Sequence, residues 1–355
     1  MDQPFVESSV ATPAGPVPVV RTRWTVADTL GAWRVRWDIR RMDYRVDPGL
    51  YAVGSPRDSS PVLATANYKL TFDVVRRELA GIDAWILVLD TRGINVWCAA
   101  GKKRFSTDEL AERVIASDLD RVVSHRRVIV PQLGATGVAA HLVRRRCGFS
   151  AVFGPVRACD IPAFLDADMK ATPEMRRVAF PMWDRFVLTP VELVGIARYG
   201  LWAVPVLAVL AILSPAVFAS HAPVPATVAG LELTRGLASG CVLLAGALAG
   251  AVVTPILLPW IPVRSFWLKG AIMGGVLGAG AGWALTSAGL TNAVGAAGLT
   301  AGAAAVAAWG AMNYTGTSTF TSPSGVEAEM RRGIPIQLAL AVAGTVVWIA
   351  SAWMG

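Results

Sequence analysis

The sequence predicts a Rossmann-like α/β domain, built on a doubly wound parallel sheet, followed by an α-helical membrane domain. Three observations predict it. Short apolar runs near 61–65, 84–90, 127–131 and 150–153 alternate with helix-patterned stretches at the spacing of strand–helix–strand units. The chain to Pro190 holds 27 of the 33 Lys and Arg and 21 of the 25 Asp and Glu, which leaves ten charged residues for the last 165 positions. Those last positions contain five apolar stretches, each near the roughly 20 residues needed to cross a hydrocarbon core.

Residues 1–23 contain four prolines and lack a basic region followed by an apolar core, so they are expected to be disordered and secretion is not expected. Trp24 to Gly54 is rich in aromatic residues and Arg (Trp33, Trp37, Tyr44, Tyr51) and reads as a packed entry segment of mixed structure. The first strand, Pro61–Thr65, leads through Ala66–Lys69 into an amphipathic helix over Thr71–Ala80. The second is Ala84–Asp90, and its helix begins after Ser106, which forms a capping box with Glu109. The third, Arg127–Pro131, passes through Gln132–Gly137 into a helix ending near Arg146; the fourth, Ser150–Phe153, passes through Gly154–Arg157 into Ile161–Ala167.

The α/β domain is therefore expected over 24–190 and the membrane domain over 191–355. Its five transmembrane helices are expected near 199–220, 237–260, 268–290, 293–312 and 334–353. Arg185, Arg198, Arg264, Lys269, Arg331 and Arg332 then fall on one side and Arg235 alone on the other. The positive-inside rule makes the first side cytoplasmic, giving a multi-pass inner-membrane protein with its α/β domain in the cytoplasm. Spans three and four are rich in Gly and Ala (Gly270, Gly274, Gly278, Gly282), which reads as close helix packing. Lys and Arg are interspersed with acids and no nucleic-acid motif is present, so the net charge of +8 points to anionic membrane lipid and no nucleic acid.

Ligands of doubly wound sheets bind over the carboxyl ends of the strands. Four loops gather there: Thr65–Lys69, Thr91–Lys102, Gln132–Gly137 and Gly154–Arg157. Their position makes Thr65, Asn67, Gln132, Gly134, Gly137 and Gly154 candidates for ligand contact. The longest loop carries Asn95-Val96-Trp97-Cys98-Ala99-Ala100-Gly101-Lys102, with a short helix expected around Trp97–Lys102 and Gly101 as its stop. A lone cysteine beside a strand is commonly a small buried hydrophobe. A nucleophile needs a base, and His125 and His141, the two histidines of this domain, both read as structural. A thiolate that ligates the metal of a cofactor is the third reading. Cys98, Cys147, Cys159 and Cys241 show no CxxC pair and no cluster spacing, so a reducing compartment fits and electrons are expected from another protein.

The octet resembles the signature Asn-(Val or Ile)-Trp-Cys-Ala-(Ala or Gly)-Gly-Lys of the HgcA family, the corrinoid proteins of microbial mercury methylation, and departs from it nowhere. The similarity extends through Tyr44–Tyr51, Ser60–Leu70, Pro131–Gly134, Gly154–Ala158, Asn313–Gly316 and Phe320–Val326. It implies a cobalamin-type corrinoid on the α/β domain, with Cys98 as lower axial ligand of its cobalt and metal-binding catalytic residue. Asn95, Val96, Trp97, Ala99, Ala100, Gly101 and Lys102 are implied to shape the cofactor site around that cysteine. It further implies a methyltransferase that passes a methyl group to Hg(II), a ferredoxin-like partner with two 4Fe–4S clusters, and a folate-linked methyl donor system. A thiolate is a strong electron donor and, as in thiolate-ligated haem, raises density at the group opposite. Two rival readings of the residues are a corrinoid methyl carrier with a different acceptor and a non-catalytic, membrane-anchored ligand-binding protein.

Overall fold

In the first part of the chain seven strands form one sheet. They are β1 Val6–Thr12, β2 Gly15–Val20, β3 Gly49–Val53, β4 Val62–Ala66, β5 Ala84–Leu89, β6 Arg127–Val130 and β7 Ser150–Phe153, in spatial order β1-β2-β3-β5-β4-β6-β7. This computed structural model describes residues 3–198, 226–228, 231–233, 235–316, 318 and 321–354. The chain divides into two compact units, Met1–Ala179 and Phe180–Gly355.

β4 and β5 are buried at every position, the pattern of strands covered on both faces. Strands β5, β4, β6 and β7 pair in parallel. Between them run the helices α1 Val26–Arg36, α2 Lys69–Glu78, α3 Val96–Gly101, α4 Thr107–Ala116, α5 Leu119–Val122, α6 Ala140–Cys147 and α7 Ile161–Asp166. Val62, Ala64, Trp85 and Leu87 face a core shared with Leu110 and Val114 of α4 and Val143 of α6. Leu63, Ile86 and Val88 face a second core, with Phe72 of α2 and Phe164 of α7. Helices thus cover both faces. The chain leaves β4 for β5 on one side and returns past it to β6 on the other, so the strand order reverses between β4 and β6.

Two expectations need correction. The sheet is mixed, because β3 runs antiparallel to β5 and a hairpin of β1 and β2 extends that edge. Residues 1–23, expected to be disordered, supply that hairpin. Gly15, at φ +112°, closes the turn, and the Thr12 hydroxyl donates to the Gly15 carbonyl at 2.7 Å. Phe5 anchors the hairpin in the second core, its ring centroid 5.1 Å from that of Phe72. The prolines at 16 and 18 read as breakers, yet they lie in β2 opposite Ala11 and Ser9.

In the second unit, four helices among the described residues are long and apolar enough to cross a membrane: Ser239–Leu257, Phe266–Ser287, Ala293–Tyr314 and Ser324–Ala350. The fifth expected span, near 199–220, lies outside the described residues. Small residues allow close packing, since a Cβ on Gly270 or Gly274 would meet Ala307 or Ala303 within 3 Å. The last helix begins at Pro323, eleven residues before its expected start, because Ser322 caps it and Pro323 occupies its first turn. Glu329 on that helix accepts the Phe266 and Trp267 amides at 3.1 and 3.2 Å, which serves the free N–H groups at the start of the second apolar helix.

Candidate functional site

The Cys98 loop leaves the carboxyl end of β5 and is tied down before it turns helical. Asn67, buried at the end of β4, is the tie. Its Oδ1 accepts the backbone N–H of Thr91 (3.1 Å) and of Gly93 (2.9 Å), and the Thr91 hydroxyl lies 2.8 Å from the same atom. Its Nδ2 donates to Asp90 Oδ1 at 3.0 Å, and that oxygen also accepts from the Arg92 N–H at 2.9 Å. Gly93 holds φ +76° with a Cβ position only 2.9 Å from Arg45 carbons, so the turn requires glycine. Asn95 is the N-cap of α3, and its side-chain oxygen accepts the Cys98 amide at 2.9 Å.

The octet then divides by direction. Val96, Ala99 and Ala100 are buried in the first core, where they anchor the helix. Trp97 and Cys98 are half-buried and Gly101 and Lys102 exposed, so the thiol lies on the outward face. Gly101 does not end the helix through a left-handed turn. Lys103 takes that conformation at φ +56°, and the Arg104 N–H closes onto the Ala99 carbonyl at 2.7 Å. No atom lies within 4 Å of a Cβ built on Gly101, so the surface one turn beyond Cys98 is open.

The loop after β6 braces this helix from the other side of the strand-order reversal. A Cβ on Gly137 would strike the Phe105 carbonyl oxygen and approach Ala100 Cα at 3.1 Å, and one on Gly134 would meet the Phe105 ring at 2.6 Å. These two glycines, and Gly154 against Ile129, serve internal packing. Gln132 accepts from Arg176 at 3.1 Å. Thr65 pairs with Val88, on the α2 side of the sheet, whereas α3 belongs to the opposite core, so register does not bring Thr65 to Cys98. Its hydroxyl is buried and has no hydrogen-bond partner.

Burial pushes the Cys98 thiol up from its ordinary pKa; Lys102, Arg41 and the Asn95 side chain oppose this without reversing it. Arg41 was not foreseen as part of the site. It follows α1 in a short 3-10 turn, its guanidinium 6.0 Å from the centre of the Tyr68 ring. No local pattern marks a contact between segments so far apart in sequence. His125 is bonded at the other end of the strands, its Nε2 2.9 Å from the Ser60 carbonyl and its Nδ1 accepting the Arg127 N–H at 3.2 Å. His141 is exposed on α6. Among the described residues no three His, Cys, Asp or Glu cluster as a metal site, so a metal held here through Cys98 needs its other ligands from a cofactor.

Residues 37–164, which take in β3 to β7 and the cysteine helix, match the family model of the CO dehydrogenase/acetyl-CoA synthase delta subunit. The acetyl-CoA decarbonylase/synthase complex subunit gamma of Methanopyrus kandleri is 30% identical over 147 residues, 41% of this chain and 31% of that protein. The same subunit of Methanosarcina acetivorans is 34% identical over 133 residues, 36% of this chain and 27% of its own. The corrinoid/iron-sulfur protein large subunit of Moorella thermoacetica is 32% identical over 127 residues, 35% and 28% of the two chains. The α/β unit is related to a corrinoid protein family. The chain spans about a third or less of the length of these relatives.

Proposed function

We propose that the protein is a membrane-anchored, corrinoid-dependent methyltransferase in which the Cys98 thiolate is the lower axial ligand of cobalt and Hg(II) is the methyl acceptor. The observation that carries this reading is the octet itself, held as a helix that turns its one thiol outward at the strand ends. The residues fit such a cofactor in one respect: Gly101 is exposed with nothing within 4 Å of its Cβ position, so the surface one turn from Cys98 is open to a bound group. When bound, a corrinoid supplies a methyl group carried on cobalt.

The chain's own residues do the rest. Asn67 and Asn95 fix the helix, Val96, Ala99 and Ala100 anchor it, and Cys98 donates electron density through sulfur. Ligation requires the thiol to lose its proton, and Lys102 and Arg41 favour the thiolate that results. In this reading Hg(II) is substrate, a folate-linked system supplies methyl groups, and a ferredoxin-like protein with two 4Fe–4S clusters supplies electrons. The α/β unit faces the cytoplasm. A methyl carrier with a different acceptor is the second reading, favoured by the relatives named as acetyl-CoA decarbonylase/synthase subunits. The purified full chain, reconstituted with corrinoid, is expected to hold about one cobalt and no stoichiometric iron. Iron without cobalt contradicts both readings; cobalt with methyl transfer to another acceptor and none to Hg(II) selects the second.

A further inference from the structure

Helix α1 is buried on one face and apolar on the opposite, exposed one. Its inner face carries Asp28, Ala32 and Val35, all buried. Asp28 fastens that face to α2, with Oδ1 3.0 Å from Lys69 Nζ and 3.0 Å from Arg76 Nη2. The outer face carries Val26, Leu30, Trp33 and Trp37 at spacings of four, three and four, one continuous stripe along a helix. Their exposures are 76, 60, 57 and 41%. A surface helix ordinarily turns one stripe to the core and a polar face to water, and the exposed apolar stripe of α1 departs from that pattern.

We propose that this outer face of α1 beds into the interfacial layer of an anionic membrane. Arg34 and Arg36 flank the stripe on its two sides, about a quarter-turn away, and Arg23, Arg40 and Arg41 stand near its ends against two acids there, Asp38 and Asp43, the second 3.8 Å from Arg40, which leaves the segment net basic. The one carboxylate within the helix, Asp28, is turned inward and already paired. Trp rings with apolar bodies and N–H tips, bordered by Arg, suit the boundary between headgroups and acyl chains and are complementary to anionic headgroups. The four apolar helices supply the membrane, and covalent attachment to them lets a weak surface contact persist, because the second binding event is intramolecular. The membrane helices, and the stripe apart from Trp37 at its end, also lie outside residues 37–164, the stretch that matches the acetyl-CoA synthase family model.

The test uses the full chain in vesicles of phosphatidylcholine with about a third phosphatidylglycerol. All four cysteines are replaced by Ala, and one spin label is attached to Leu30→Cys or, as reference, to Ala116→Cys, an exposed site at the end of α4. The ratio of oxygen to water-soluble nickel accessibility is expected to be at least about threefold higher at position 30 than at 116, and to fall towards the reference in pure phosphatidylcholine. Equal ratios at the two sites in anionic vesicles overturn the proposal. So does a label at position 30 shielded from both reagents, which places protein on the stripe, and so does a high ratio indifferent to lipid charge.

Discussion

Cys98 differs from the other cysteines in its surroundings. Cys147 closes α6, its thiol donating to the Val143 carbonyl at 3.3 Å, and burial pushes its pKa up against a hydrogen bond from the Phe149 backbone. Cys159 is exposed beside Asp160. Cys98 alone stands on a helix start fixed by two asparagines, with Lys102 and Arg41 acting on it. Cys98→Ala is therefore expected to abolish methylmercury formation by cells carrying the ferredoxin-like partner, whereas Cys147→Ala and Cys159→Ala keep most of it. Wild-type formation by Cys98→Ala contradicts an essential thiolate. The octet stands out in the sequence, but the division of labour inside it does not. Val96, Ala99 and Ala100 lie inward and Cys98 and Gly101 outward only because α3 is placed by Asn67, from another strand. Loop position singles out Asn67, Gly134 and Gly137, but that they also hold the loops in place only long-range pairing reveals.

Helix α1 owes its place to a buried group of charges. Lys69 bridges Asp28 and Asp73 at 3.0 and 2.6 Å, and Arg76 bonds Asp73 at 2.8 Å, with Arg76 and Asp73 fully buried. Removing Asp28 leaves two buried cations, Lys69 and Arg76, to share the single carboxylate of Asp73, so Asp28→Ala is expected to cost about 3–5 kcal/mol, read as faster amide exchange in α1 and α2. Burial alone raises the Asp28 pKa, but hydrogen bonds from Thr25 and Lys69 outweigh it and hold the carboxyl well below the usual carboxylate range. A carboxylate depressed on folding contributes stability that is full above its unfolded pKa and is lost as pH falls through the folded value. Amide protection of α1 should accordingly weaken below the ordinary carboxylate range in the wild type and change less there in Asp28→Ala. The four parallel strands were legible because β4 to β7 are short, continuous and apolar. The antiparallel edge was not, because Pro16 and Pro18 disguise β2 and the aromatic entry segment hides β3 between α1 and β4.

The whole molecule couples an α/β unit related to corrinoid proteins to helices long and apolar enough to cross a membrane. If five helices cross it with the α/β unit in the cytoplasm, a reporter fused after Gly325 is expected to read cytoplasmic and one at the carboxyl terminus external. Both reporters on one side contradict five crossings. The central claim is that the Cys98 thiolate drives methyl transfer through the electron density it gives to cobalt. Neutral imidazole gives less, so Cys98→His separates holding the cofactor from using it. The most direct measurement is single-turnover methylmercury formation by the purified, corrinoid-loaded full chain, with occupancy read from the corrin absorption band of the same sample. The account predicts near wild-type occupancy in Cys98→His and transfer to Hg(II) at least about tenfold slower, equivalent to roughly 1.4 kcal/mol on the barrier. Undiminished transfer by a fully occupied Cys98→His protein contradicts it.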